Sequence, residues 1–469
     1  MTPAILSQRD TRWTSLYVLC IGMLMIVLDI TVANVALPSI QRDLGFSQSG
    51  LAWVINAYLI AFAGLLLLSG RLGDLFGGKR VFLIGLGLFT ASSLLCGMAW
   101  SAPVLVAARF AQGVGGAMAS AVILAMIVTA FPQAGERARA IGVFSFTASA
   151  GGSVGLLLGG TITQTLGWHW AFLVNVPIGI ITIALGRRFI VAPAGIGWCN
   201  GADVIGALTI TASLMLGVYA VVQVPIAGIA SPAILICGAL SLVLFAAFLA
   251  RQLSARNPLV PLRLFRSRNV AGANAIEMLL SAGLFGFFFL DALLLRRTLS
   301  YSPLETGLAF LPLTITSGAL SLGWAERLVT TFGGRRVLLA GNVLAFAGLL
   351  ALTLAPSNAS YLASTFPAMV LVGVGMGAAF PPLMMFAMSG TTEADAGVAS
   401  GVLATSSEVG GAVGLAVLAT IASIGGFHAA FAAATACVAI AIVIAAGVLE
   451  RDHALGVVDD ERGNEPKSA

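Results

Sequence analysis

Four carboxylates and one guanidinium interrupt runs of the sequence that are otherwise apolar: Asp29, Glu277, Asp291, Glu408 and Arg109. A charge in hydrocarbon costs ~2.5–3.5 kcal/mol even on lenient scales, so residues of this kind mark proton, ion or substrate sites. Asp29 belongs to "LDITVANVALPSI" (28–40), which also carries Asn34. It lies 15 residues after Thr14, ~22 Å along a helix. Arg109 lies six residues past Pro103 on a helix running the opposite way, ~9 Å from its start. The two charges therefore fall at similar depth, and Arg109 is expected to partner Asp29 until protonation releases the pair. Such a pair is the chemistry of a proton-coupling site; its bland alternative is a permanent structural ion pair.

Glu408 falls near the middle of its helix, with Ser149 at the repeat-equivalent position, and is suited to a cationic substrate or a second proton. Glu277, eight residues into its helix, is a second carboxylate of the same kind. Asp291 stands near the outer end of that helix, beside Arg296 and Arg297, and reads as a snorkelling interfacial cluster.

Elements that could hold these groups must cross a membrane. Apolar residues make up 59% of the 469, charged residues 9%, and the mean hydropathy is +1.01, against about 25% charge in soluble proteins. Uncharged runs at 44–70, 81–108 and 110–135 each suffice for one crossing, and those at 140–186, 204–250, 337–392 and 409–449 for two. Turn signals divide the chain into fourteen helices, near 14–38, 51–70, 81–100, 103–130, 140–162, 170–190, 204–224 and 231–251, then 269–295, 304–324, 336–355, 360–389, 397–421 and 425–449. The fold class is all-α and polytopic. With the N-terminus inside, 20 of the 24 Lys and Arg fall in inner segments, which places both termini in the cytoplasm. The net charge of +5 thus reports topology rather than nucleic-acid binding. Cys20, Cys96, Cys199, Cys237 and Cys437 lack metal-ligand spacing, and no metal, cofactor or disulfide framework is expected.

"GRLGDLFGGKRVFLIG" (70–85) recurs as "AERLVTTFGGRRVLLAG" (325–341), offset by 256. "GGSVGL" (151–156) recurs as "GGAVGL" (410–415), and "GWHWAF" (167–172) as "GFHAAF" (426–431), both offset by 259. The two basic loops stand eight helices apart, which divides the chain into an N-terminal six-helix bundle (1–200), two inserted helices (201–253), a C-terminal six-helix bundle (254–450) and a tail (451–469). Parallel halves of this kind rock about a central cavity, the architecture of a transporter.

At these motifs the sequence resembles the 14-helix drug:proton antiporter branch of the major facilitator superfamily. The resemblance rests on "LDITVANVALPSI", "GRLGDLFGGKR", "RFAQGVGGA" (109–117), "GWHWAFLVNVPIG" (167–179), "YSPLETGLAFLPL" (301–313) and "GVASGVLATSSEVGGAVGLAVL" (397–418). It implies secondary transport, most simply proton-coupled efflux of amphipathic drug- or antibiotic-like molecules through the cell membrane. It also implies a conformational latch at Arg71, Asp74, Lys79 and Arg80, whose aspartate accepts bonds from arginine and a helix N-terminus. Gly151, Gly155 and Gly159 form a smooth helix face for packing or gating. The branch's fifth-helix Gly-Pro pair is Gly155-Leu156 here, so a straighter fifth helix is expected, and proton symport or facilitated uptake of a metabolite stays open. No phosphate-binding G-x-x-x-x-G-K-[ST] occurs, which argues against direct ATP coupling. The implied partners are a small-molecule substrate, protons and the bilayer, with the protein acting as a monomer and not as an enzyme. His169 and His428 sit at repeat-equivalent turns and read as interfacial anchors.

Overall fold

The structure, a computed structural model, describes residues 3–449 apart from 52, 192–194, 196, 198–202, 229, 256–257, 302, 357–359, 390 and 392–394. The expected tail and Cys199 lie outside the described residues, which contain helices and no strand. In hydrocarbon every backbone N–H and C=O must be satisfied within the chain, and a helix does this segment by segment. Thirteen described helical segments are long and apolar enough to cross a membrane. The helix Ala134–Thr165, with 32 residues or about 48 Å, also has the length.

In chain order the N-terminal helices are α1 (Pro3–Leu44), α2 (Trp53–Phe76), α3 (Gly78–Gly97), α4 (Ala102–Ala130), α5 (Ala134–Thr165) and α6 (His169–Phe189). Two further helices follow, α7 (Val204–Ala227) and α8 (Pro232–Ser254). The last six are α9 (Arg268–Thr298), α10 (Glu305–Gly323), α11 (Gly334–Leu354), α12 (Thr365–Ala387), α13 (Ala396–Ala422) and α14 (Gly425–Gly447). Helix α1 runs longer than its apolar run and continues through Pro38. The carbonyl left without an N–H partner there is that of Asn34, an exposed residue. Helix α5 is continuous past Leu156, as the missing proline leads one to expect. A kink near the start of α14, at Gly426, breaks α13 from α14; its φ of 78° is open to glycine but strained for other residues.

Packing partners repeat between the halves: α1 on α5 as α9 on α13, α2 on α4 as α10 on α12, α3 on α4 as α11 on α12. The halves meet along two seams, α2 against α13 and α5 against α10. Both are tightest at the ends that carry the basic loops. There Gly70 meets Gly397 backbone to backbone, Gly142 meets Ser321, and Phe146 fills the space beside Gly318. Helix α7 packs on α2 and α13, while α8 rests on α7 and exposes Leu242, Val243 and Leu253 at 64–78%. The hairpin is tied at its basic-loop end by Asp203, which caps α7 by accepting from the Gly206 N–H at 2.9 Å. Arg251 and Gln252 of α8 donate to the same carboxylate at 3.1 and 2.9 Å.

Candidate functional site

The fold brings Asp29 of α1 against Arg109 of α4, both buried. Arg109 Nη1 donates to Asp29 Oδ2 at 2.5 Å, and Arg109 Nε donates to the Val54 carbonyl of α2 at 2.9 Å. Two amides complete the cage. Gln112 Nε2 and Asn175 Nδ2 donate to Asp29 Oδ1 at 2.7 and 2.8 Å. Gln112 in turn accepts from Arg109 Nη1 at 2.7 Å and donates to Ser93 Oγ of α3 at 2.7 Å. The guanidinium carbon lies 4.4 Å from the Tyr58 ring centroid and 5.6 Å from that of Phe172. Five helices thus converge on one carboxylate: α1 supplies it, α4 the cation, and α2, α3 and α6 the dipoles and rings. Among the described residues, Arg109 Nη2, Tyr58 Oη and Asn175 Oδ1 are left without a hydrogen-bond partner. These are polar atoms that a water could bridge.

Charge at this depth is tolerable because each formal charge has its counterion and several aimed dipoles; an unpaired one would not be. Gln112 and Asn175 were missed as site residues from sequence. Gln112 carried a signal, since it shares a helix face with Arg109 at i,i+3. Asn175 carried only its polarity within "GWHWAFLVNVPIG".

The same positions in the second half are apolar. Gly151 packs on Val27 and Gly410 on Met278; Gly155 packs on Thr31 and Gly414 on Ala282. Helix α1 therefore superposes on α9 with a shift of 251 residues, and the Gly115–Gly85 and Gly375–Gly341 approaches relate α4 to α12 by 260. Asp29 corresponds to Leu280, Arg109 to Met369 and Gln112 to Val372, all buried. The polar cage belongs to one half alone.

Other sequence candidates lie apart from it. Asn34 is exposed and donates to the Ile30 carbonyl of its own helix at 2.9 Å. Glu277 is buried on α9, accepts from Ser281 Oγ at 3.1 Å, and leaves Oε2 unpartnered. Ser281 meets Ser407 of α13 at 2.8 Å, and the half-buried Glu408 follows Ser407 within electrostatic reach of Glu277 and Tyr58. Two carboxylates from α9 and α13 thus share one neighbourhood. Asp291 corrects the reading of an interfacial snorkelling cluster: it is wholly buried, and neither oxygen has a hydrogen-bond partner among the described residues. The side chains of Arg296 and Arg297 lie outside the described residues.

At the basic-loop end, Asp74 closes the α2–α13 seam. Its Oδ1 accepts from the Gly397 N–H at 2.7 Å and its Oδ2 from the Val398 N–H at 3.0 Å, at the start of α13. Arg71 stands 4.0 Å away. A carboxylate on a helix N-terminus is favoured by the free N–H groups and the macrodipole. Lys79 donates instead to the Arg187 carbonyl at 2.9 Å, and Arg80 is exposed. Gly151, Gly155 and Gly159 all abut α1 through Val27, Thr31 and Val32, a close-packed contact between helices of one half. The ring of His169 stacks on Trp168, whose Nε1 donates to Asp43, and His428 Nδ1 meets the Thr353 carbonyl.

Comparison with known proteins agrees with this architecture. The sequence profile described as the Major Facilitator Superfamily matches residues 19–415 and, in a second alignment, 276–469. The puromycin resistance protein pur8 of Streptomyces alboniger is 37% identical over 86% of this chain and 80% of its own. The cephamycin export protein CmcT of Amycolatopsis lactamdurans is 37% identical, covering 87% and 84%. The lincomycin resistance protein of Streptomyces lincolnensis is 38% identical, covering 87% and 83%. Among solved structures, the human organic anion transporter MFSD10 (TETRAN) superposes with a TM-score of 0.70 at 15% identity, over 95% of this chain and 100% of that one, a likeness of fold alone. The profile match over most of the chain and relatives 37–38% identical place this multi-pass membrane protein in the Major Facilitator Superfamily.

Proposed function

We propose that the protein is a secondary active transporter that expels amphipathic, antibiotic-like small molecules in exchange for protons, by alternating access between its two halves. The observation that carries this reading is the Asp29 cage. Its carboxylate is held by Arg109, Gln112 and Asn175 from two other helices, so taking up a proton cancels one charge of the pair and loosens all three attachments. Arg109 and the amides would then be free to re-aim, and α1, α4 and α6 to shift. The names of the relatives, resistance and export proteins for puromycin, cephamycin and lincomycin, support a substrate of that chemical class.

In this reading Glu277 and Glu408 offer the central space a pair of carboxylates for a cationic substrate, with Asn34 as an accessible polar contact. The Asp74 contact to α13, with Arg71 beside it and Lys79 and Arg80 at the adjoining start of α3, is the latch of the inner end, and the glycine face of α5 lets α1 slide. Both termini are cytoplasmic, the membrane is the cell membrane, and the monomer is the working unit. Proton symport is the rival, favoured by the continuous α5 in place of a proline-kinked one. Everted vesicles given external ethidium discriminate the two. Antiport requires ethidium accumulation that an acid interior drives and that Asp29→Asn abolishes, while ethidium-for-ethidium exchange survives. Pumping by Asp29→Asn with an unchanged pH profile would falsify the coupling role.

A further inference from the structure

Asp291 is a carboxyl group that nothing in the preceding scheme uses. It is 0% exposed and lies seven residues before the outer end of α9, about 10 Å along the helix axis. Both its oxygens lack a hydrogen-bond partner among the described residues. Thr365 at the start of α12, also 0% exposed, faces it without closing a hydrogen bond, and its hydroxyl is equally unpartnered. Tyr361 sits above and is anchored elsewhere, its hydroxyl donating to the Ala309 carbonyl at 2.7 Å.

The other titratable or charged groups on the elements packed around α9 are engaged or distant. Tyr301 stacks obliquely on Tyr361, Glu305 of α10 is exposed, and His428 of α14 meets the Thr353 carbonyl. Cys437 of α14 is half-buried, and Glu408 of α13 lies beside Glu277. Glu277 itself is fourteen residues down α9, about 21 Å away. Arg263 and Arg266 belong to the opposite end of the half. The side chains of Arg296 and Arg297 lie outside the described residues.

A carboxylate with no counterion and no donor is not tolerated in a dry interior; the neutral acid is. The relation between the halves shows that this position has no need of an acid for packing. Under the shifts of 251 and 260 residues, Asp291 corresponds to Ile40 and Thr365 to Leu105, which pack together in one apolar cluster. Both halves thus place a buried aspartate in the crevice between their first and fourth helices. The second aspartate stands eleven residues, about three turns, nearer the outer face, with a hydroxyl where the first has a guanidinium.

We propose that Asp291, faced by Thr365 in the α9–α12 crevice, is a second exchangeable proton site of the C-terminal half, loaded in this conformation and independent of the Asp29 cage. It gains its proton from the outer solution when the Tyr361 anchor lifts. When the crevice opens inward it gives that proton up, and the Thr365 hydroxyl then donates to the carboxylate.

The proposal rests on proton coupling as read above, and the test separates the two. Purified protein is placed in liposomes with the membrane potential clamped at zero, and the pH difference that stops net ethidium flux against a tenfold gradient is measured. Two exchanged protons balance that gradient at roughly half a pH unit and one proton at roughly one unit. Wild type is expected at the first value and Asp291→Asn at the second. An unchanged balance point in Asp291→Asn overturns the second site while leaving Asp29 coupling intact. Absence of any pH-driven flux in wild type overturns coupling itself, and this site with it. Should Asp291→Asn not fold, dicyclohexylcarbodiimide decides on the wild-type chain, because it reacts with protonated carboxyls in apolar surroundings. Mass spectrometry should find it on Asp291 at pH 6 and at least about tenfold less at pH 9. No adduct at either pH overturns the proposal, as does a balance point that moves when sodium is replaced by N-methylglucamine.

Discussion

Asp29 has no slack: one oxygen is bound to a guanidinium and the other to two amides. Removing a partner therefore exposes the cost of what remains. Arg109→Ala leaves an uncompensated buried carboxylate, a loss of ~3–5 kcal/mol, and is expected to lower the thermal midpoint in detergent as well as abolish pumping. Asn175→Leu removes a neutral donor, ~1–3 kcal/mol. It should leave the protein folded but shift the pH at which efflux is half-maximal, read in everted vesicles; an unshifted profile would make Asn175 a packing residue. The Asp29–Arg109 juxtaposition was legible because depth along two helices is a count of residues. Gln112, Asn175 and Ser93 were less so, because which polar groups share a crevice depends on helix rotation, and hydrophobic periodicity gives no rotation when every face is apolar. Asp291 was misread for a related reason: distance from a helix end says nothing about whether that side is covered.

Among the elements, the α7–α8 hairpin is held at its basic-loop end by one carboxylate. Burial works against ionisation of Asp203, but the Gly206 N–H, the Gln252 amide and the Arg251 guanidinium outweigh it and hold the carboxyl below its ordinary range. The bonds therefore add stability that is fully present above the unfolded value of ~3.9 and is lost as pH falls through the lower folded value. Asp203→Ala removes a helix cap and should cost ~0.5–2 kcal/mol. Hydrogen exchange over 204–254 should quicken at neutral pH in the variant, but in wild type only well below pH 4; equal protection in both would leave the cap without a role. A second expectation concerns α5. Gly155→Leu drives a side chain into Thr31, and overpacking of this kind costs ~1–3 kcal/mol. Expression should fall while Gly152→Ala, with open space around it, leaves it unchanged. The all-helical, membrane-spanning class was readable from the lengths of the apolar runs, and the repeat from motif spacing. The division of α13 from α14 was readable from the glycine pair Gly425-Gly426, and the positive φ of Gly426 marks it in the structure.

For the whole molecule, the proposed latch and the seams are expected to set which face is open. Asp74→Asn replaces two charge-assisted bonds to the start of α13, each worth ~1.5–3 kcal/mol. The closed inner end should become about tenfold or more less populated. Transport should drop while substrate affinity measured by fluorescence quenching stays within twofold or so; a matching loss of affinity would place Asp74 in the binding site. Thr330→Ala at the repeat-equivalent position should do little, since Thr330 is exposed and bonds the carbonyls of its own helix.

The inserted hairpin also makes the molecule one-sided within the plane of the membrane. Of the two seams between the halves, α7 packs on the one between α2 and α13, whereas its described packing does not extend to the one between α5 and α10. An amphiphile dissolved in the bilayer is therefore expected to enter from the flank that the hairpin leaves free. Lipid-borne photoreactive probes should mark α5 and α10 far more than α2 and α13, and bulky side chains along the open seam should slow efflux of oily substrates while sparing water-soluble ones.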